Sequence, residues 1–183
     1  MSSPSPVIPD LKNLVTLFCR STDEVGSFEE VAGDQLPPYY RHLLDHHDHM
    51  TVALESACGC RVAVEVKRRR LTRSRYERTS VLRETRGGRV LQYNVVRLQC
   101  AYLDDTVRED IESEQIPLGR ILIRHNVLRR VQRIALWRIS PGPELLRAFG
   151  LSQPLVTYGR TALIYCNNDP AVELLEILAP VME

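Results

Sequence analysis

The chain has 183 residues, 44% of them hydrophobic and 26% charged, with a formal net charge of +1. Those totals suit one globular domain able to bury a core without metal or disulfide support, and the near-zero charge excludes whole-molecule steering towards polyanions. No apolar run approaches the ~20 residues of a membrane span, and the opening MSSPSPVIPD lacks the basic-then-apolar order of a signal peptide, so a cytoplasmic protein with no membrane partner is expected.

Residues 1–9 form a Ser/Pro-rich lead, expected to be mobile, ahead of a single domain over residues 10–183. In DLKNLVTLFCR, Leu11, Leu14, Val15 and Phe18 recur at helical spacing behind Asp10 as a candidate N-cap. LPPYYRHLLDHHDH opens on prolines suited to a first helical turn, which predicts a helix over Pro37–His49. From Thr51 the period changes. TVALESACGCRVAVEVK alternates at Val52/Leu54 and at Val62/Val64/Val66 around a glycine turn, which predicts a hairpin. RTSVLRETRGGRVLQYNVVRL predicts a second hairpin joined by RGG.

Further on, YLDDTVREDIESEQ predicts a charged helix started by Asp104 or Asp105, and IPLGRILIRHN a short helix opened by proline. VLRRVQRIALWRIS reads as a strand and PGPELLRAFG as a short helix closed by Gly150. The third hairpin is VTYGRTALIYC and AVELLEILAP around NNDP. Hairpins with helices between them imply an α+β domain: an antiparallel sheet of about six strands with helices packed on it.

Five cysteines (Cys19, Cys58, Cys60, Cys100 and Cys166) are an odd number without framework spacing. The CGC at Cys58–Cys60 is too tight for a paired metal knuckle, so reduced thiols are expected. HLLDHHDHMT holds four of the five histidines within eight positions. On one continuous helix, Tyr40, Leu43, Leu44 and His47 would share the core stripe, sending His42, His46 and His49 to solvent. Catalytic metals need a dry, concave site, so no metal is expected there.

Residues 61–89 carry eleven Lys/Arg against Glu65, Glu77 and Glu84, a local +8 that leaves −7 for the rest of the chain. The block reads as a solvated face, as a funnel for a small anion, or as a nucleic-acid patch. With Tyr76 its only aromatic, it offers no stacking platform, and no nucleic-acid partner is expected. A small carboxylate would call for one arginine in a bidentate fork, which lysine cannot reproduce. In AVELLEIL, Glu176 shares a face with Val172, Leu174 and Leu178, and Glu173 with Ala171, Leu175 and Ile177. At least one of these carboxylates must enter an apolar place and find a partner. An ion pair with an arginine and an acid/base group are both open, and periodicity does not choose between them.

The order of four stretches resembles the chorismate pyruvate-lyase family, which includes the mycobacterial-type 4-hydroxybenzoate synthases. They are LPPYYRHLLDHHDHMT, YERTSVLRETRGGRVLQYNVVRL, IPLGRIL and NNDPAVELLEILAP, spanning Leu36 to Pro180. The resemblance implies one α+β domain with an internal cavity under helical flaps. It also implies cofactor-free conversion of chorismate to 4-hydroxybenzoate, or a related hydroxybenzoate, and pyruvate. Carried over by motif, Arg78 binds the carboxylate, Leu118 of Pro-Leu-Gly contacts the product, and Glu176, four residues before Pro180, faces the ring hydroxyl. Met50 closes the pocket with its backbone, and Arg78 and Glu176 are the catalytic candidates. The first 35 residues and the connection from VAVEV to Arg78 depart from the family pattern, which puts the flap in question.

Two other readings accompany this one. The same fold serves as the effector domain of certain transcription regulators, which implies a non-catalytic sensor of a small aromatic acid. Against that stands the shortness of the stretch ahead of the fold, too short for a winged helix. An RNA-associated protein using residues 61–89 would bind with steep salt dependence. A monomer is the favoured state.

Overall fold

A computed structural model describes residues 8–127 and 129–181; most of the lead expected at 1–9 lies outside the described residues. The seven strands are β1 (Gly26–Val31), β2 (Val62–Leu71), β3 (Arg75–Glu84), β4 (Val90–Gln99), β5 (Arg129–Pro141), β6 (Thr157–Cys166) and β7 (Asp169–Leu178). They form one sheet of order β1-β5-β6-β7-β4-β3-β2. Every neighbouring pair is antiparallel. Strand β7 is central and buried at each position from Ala171 to Leu178, as its two apolar faces require.

One face of the sheet is covered by α1 (Leu11–Val15) and α6 (Pro143–Phe149), which pack on Val81, Tyr93, Val95, Leu175 and Ile177. The opposite face is covered by α2 (Pro38–Leu44), α3 (Met50–Cys58), α4 (Asp105–Glu112) and α5 (Leu118–Arg124). There Val96, Leu98, Val172 and Leu174 meet α4 and α5, while Leu82 and Leu178 meet α2 and α3. Local signals operate as expected: Asp10 Oδ1 caps Asn13 N at 2.8 Å, and Gly150 closes α6. No helix among the described residues is long and apolar enough to cross a membrane.

Three expectations are corrected. The helix predicted over Pro37–His49 stops at Leu44, where Asp45 leaves the helical region with ψ +58°. A single helical wheel therefore does not apply: His47 is exposed, His46 half-buried and His49 buried, while His42 stays exposed. The stretch from Thr51 is helix α3, not the first strand of a hairpin. Two alternating residues were too few to fix a period of two, and the buried Met50, Thr51 and Leu54 follow helical spacing through strong helix formers. The polar segment before α2 contains β1, an edge strand whose side chains are mostly open to solvent, so no apolar alternation marks it.

The basic block falls on β2, β3 and their turns. Six of its eleven cations make ion pairs: Lys67 and Arg83 with Glu65, Arg68 with Glu144, Arg69 with Glu114, Arg70 with Glu77, and Arg89 with Glu84. These pairs lie mostly at the solvated surface, where such contacts contribute little. Arg78 is the exception, and it lies inside.

Candidate ligand-binding site

Antiparallel register sets two rows of side chains across the helix-covered face. One runs Arg78, Val96, Leu174 over β3, β4 and β7; the next runs Ser80, Asn94, Glu176 and, on β6, Arg160. Above these rows α3 and α5 begin, and the space between is a cavity of about 40 Å³. On the measure by which one water needs ~10–15 Å³, that is room for about three waters. Ser80, Asn94, Val96, Leu174 and Ile164 line its floor, and His49, Met50, Thr51, Pro117, Leu118 and Gly119 its roof.

The roof is held close by a small residue. A Cβ on Gly119 would lie 3.1 Å from Thr51 Oγ1 and 3.2 Å from His49 Cβ, so glycine lets the first turn of α5 approach the first turn of α3. Both turns present backbone N–H groups that no side chain caps, giving the roof a positive character.

The four residues singled out by the motif resemblance, Met50, Arg78, Leu118 and Glu176, all line this one cavity. Arg78 is 2% exposed and forms no ion pair among the described residues. Its Nε and Nη1 have no hydrogen-bond partner among the described residues, and its guanidinium lies 5.9 Å from the Tyr76 ring centroid. Glu176, 7% exposed, accepts a 2.6 Å bond from Arg160 Nε. Of the two roles its sequence context left open, the ion pair is what the fold builds. Glu173, on the other face, is held by Arg97 through two bonds of 2.9 and 2.5 Å.

Two site residues escape sequence reasoning. Arg160 is 1% exposed and also donates to the carbonyls of Leu44 (3.3 Å), His46 (3.0 Å) and Asp48 (3.2 Å), pinning the turn between α2 and α3. Its signal was available: an arginine inside TYGRTALIYC is as out of place as the glutamates of β7. His49 is delivered to the cavity by that turn, with its Nε2 unpartnered. Burial, then the Arg129 charge, lowers its imidazole to a pKa of about 4, so it is neutral near pH 7. No group of three or more His, Cys, Asp or Glu among the described residues could hold a metal.

No protein-family model matches the sequence, and neither does any curated protein. Among solved structures, PhnF from Mycobacterium smegmatis superposes with TM-score 0.56 at 13% identity, covering 74% of this chain and 68% of that one. This likeness shows the fold. Weaker ones are the ligand-binding domain of a protein assigned to the GntR family of transcriptional regulators, from Bordetella bronchiseptica, and the possible transcriptional regulator YydK from Bacillus subtilis. The first gives TM-score 0.49 at 12% identity over 64% of this chain and 85% of that one; the second gives 0.45 at 12% over 64% and 57%. Where these neighbours are described by role, the role is regulation or ligand binding, and none of the three is described as a lyase. The expectation of a chorismate pyruvate-lyase is corrected accordingly.

Proposed function

We propose that the chain is a non-catalytic sensor domain enclosing a compact aromatic acid that carries a single negative charge. Arg78 carries this reading: it is a guanidinium buried to 2% exposure with two donor nitrogens unpartnered. A buried cation without a counter-charge is costly, and an entering carboxylate removes that cost through a bidentate fork. Glu176 and Arg160 neutralise each other, so among the described side chains lining the cavity Arg78 is the charge left to be matched, and a monoanion matches it.

Length follows from the sheet. Arg78 and Glu176 stand two strands and two residues apart on one face, about 12 Å between Cα atoms given ~4.8 Å between strands and ~3.4 Å per residue. Once both side chains reach inward, the gap suits one substituted ring. Glu176 presents acceptors only, so the far end of the ligand is a donor such as a hydroxyl. Val96, Ile164, Leu174 and Leu118 supply apolar walls for the ring between them.

Isothermal calorimetry with 4-hydroxybenzoate, benzoate and the neutral 4-hydroxybenzamide tests the proposal. The two acids are expected to bind, the hydroxylated one more tightly, and Arg78→Met to weaken both by about 100-fold. Pyruvate is not expected to form when chorismate is the probe. Equal binding of acid and amide, or unchanged binding by Arg78→Met, would overturn the assignment.

A further inference from the structure

The end of α3 remote from the cavity carries a feature the ligand reading does not use. Cys58 and Cys60 flank Gly59, and their Sγ atoms lie 3.2 Å apart. Gly59 sits in the left-handed region with φ +64°, which turns the chain sharply between α3 and β2 and brings the two thiols together. Cys58 Sγ also lies 3.3 Å from the Cys60 carbonyl oxygen, to which it donates. Both thiols are half-exposed, whereas Cys19, Cys100 and Cys166 are buried. A small oxidant therefore meets this pair before any other cysteine.

We propose that Cys58 and Cys60 form a dithiol–disulfide couple, oxidised by low-molecular-weight disulfides of the glutathione type. The gap to be closed is about 1 Å, from 3.2 Å to a bonded ~2.05 Å. In the first step the thiolate of one cysteine attacks a sulfur of glutathione disulfide, forming a protein–glutathione bond and releasing one glutathione thiolate. In the second the neighbouring thiolate attacks the protein sulfur of that mixed disulfide, forming the Cys58–Cys60 bond and releasing the second glutathione. The protein loses two electrons and two protons, and both glutathiones leave as thiols. A bridge across one residue is tight, so the couple yields only to an oxidising environment and reverses readily.

The position gives the couple something to act on. Glu55, one turn before Cys58, accepts from Val62 N at 3.0 Å and pairs through its other oxygen with Arg120 of α5. The CGC turn thus belongs to the frame holding α3 and α5, whose first turns roof the cavity.

Equilibrating the full chain in glutathione buffers of rising oxidised fraction, followed by alkylation, tryptic cleavage and mass spectrometry, tests the couple. Cleavage after Arg41 and Arg61 places Cys58 and Cys60 on one peptide that contains no other cysteine. That peptide is expected to pass from doubly alkylated to unalkylated and lighter by two hydrogens. Cys58→Ser and Cys60→Ser, both substitutions at half-exposed positions, are expected to stop at a single glutathione adduct. A wild-type peptide that stays doubly alkylated in glutathione disulfide alone, or that accumulates glutathione adducts in place of the bridge, would overturn the proposal.

Discussion

Arg160 Nε donates to Glu176 Oε2 at 2.6 Å while the remaining guanidinium nitrogens hold three carbonyls of the turn between α2 and α3. One buried side chain thereby neutralises the cavity's carboxylate and fixes the segment that delivers His49. Breaking such a pair leaves an uncompensated buried charge, at a cost of about 3–5 kcal/mol. Arg160→Met and Glu176→Leu are each expected to lose stability on that scale in urea denaturation. The double variant is expected to lose less than the sum of the two, and simple additivity would show that the pair is not coupled.

Arg78 should behave in the opposite way. Its charge is buried without a carboxylate partner among the described residues, so Arg78→Met removes a desolvation cost instead of creating one. The free variant is expected to melt higher than the native chain, by roughly 2–4 °C for each kcal/mol gained. Differential scanning calorimetry without ligand reads this directly. A lower melting temperature would mean that Arg78 is structurally satisfied in the fold.

Stability should depend on His49 in mildly acidic solution. Its folded pKa of about 4 lies below the ordinary 6.5, so the unfolded chain takes up a proton that the native one refuses. The contribution is whole above about pH 6.5 and is lost as pH falls towards 4, at most about 3 kcal/mol over that window. Denaturation midpoints of the native chain and His49→Gln, compared from pH 7.5 to 4.5, should show the shallower slope in the variant. Parallel slopes would place the titration on other groups.

The contact between the first turns of α3 and α5 is tight for a methyl group. Gly119→Ala would put a Cβ 3.1 Å from Thr51 Oγ1 and 3.2 Å from His49 Cβ, so these side chains must give by a few tenths of an ångström. Overpacking of this kind costs about 1–3 kcal/mol. The expected signature is a modest loss of stability with a larger loss of 4-hydroxybenzoate binding, since the displaced turns form the cavity roof. Binding that is untouched while stability falls would remove the roof from the site.

Arg78, Glu176, Leu118 and Met50 could be picked out from motif order because each lies within a short local signature, and the fold brings all four to one cavity. His49 could not, because its burial depends on a helix that ends at Leu44 and restarts at Met50, and a wheel drawn through the break points it to solvent. Arg160 carried a readable sign, a charge within an apolar strand, but a lone arginine in a strand does not say which carboxylate it meets.

The sequence by itself determined that the domain is an antiparallel sheet with helices on it, that β7 is covered on both faces, and that charges enter the interior. Strand and helix periods are local, two residues and about 3.6, and they mark which side chains turn inward without reference to distant parts of the chain. Tertiary structure alone decided how those charges are shared out. Register across β6, β7 and β4 sets Arg160 against Glu176 on one face and Arg97 against Glu173 on the other. The same register leaves Arg78 facing the apolar Val96 and Leu174 with no carboxylate in its row. Pairing between residues tens of positions apart follows from strand order and offset, which no local pattern encodes, and it is that pairing which leaves Arg78 without a carboxylate among the described residues.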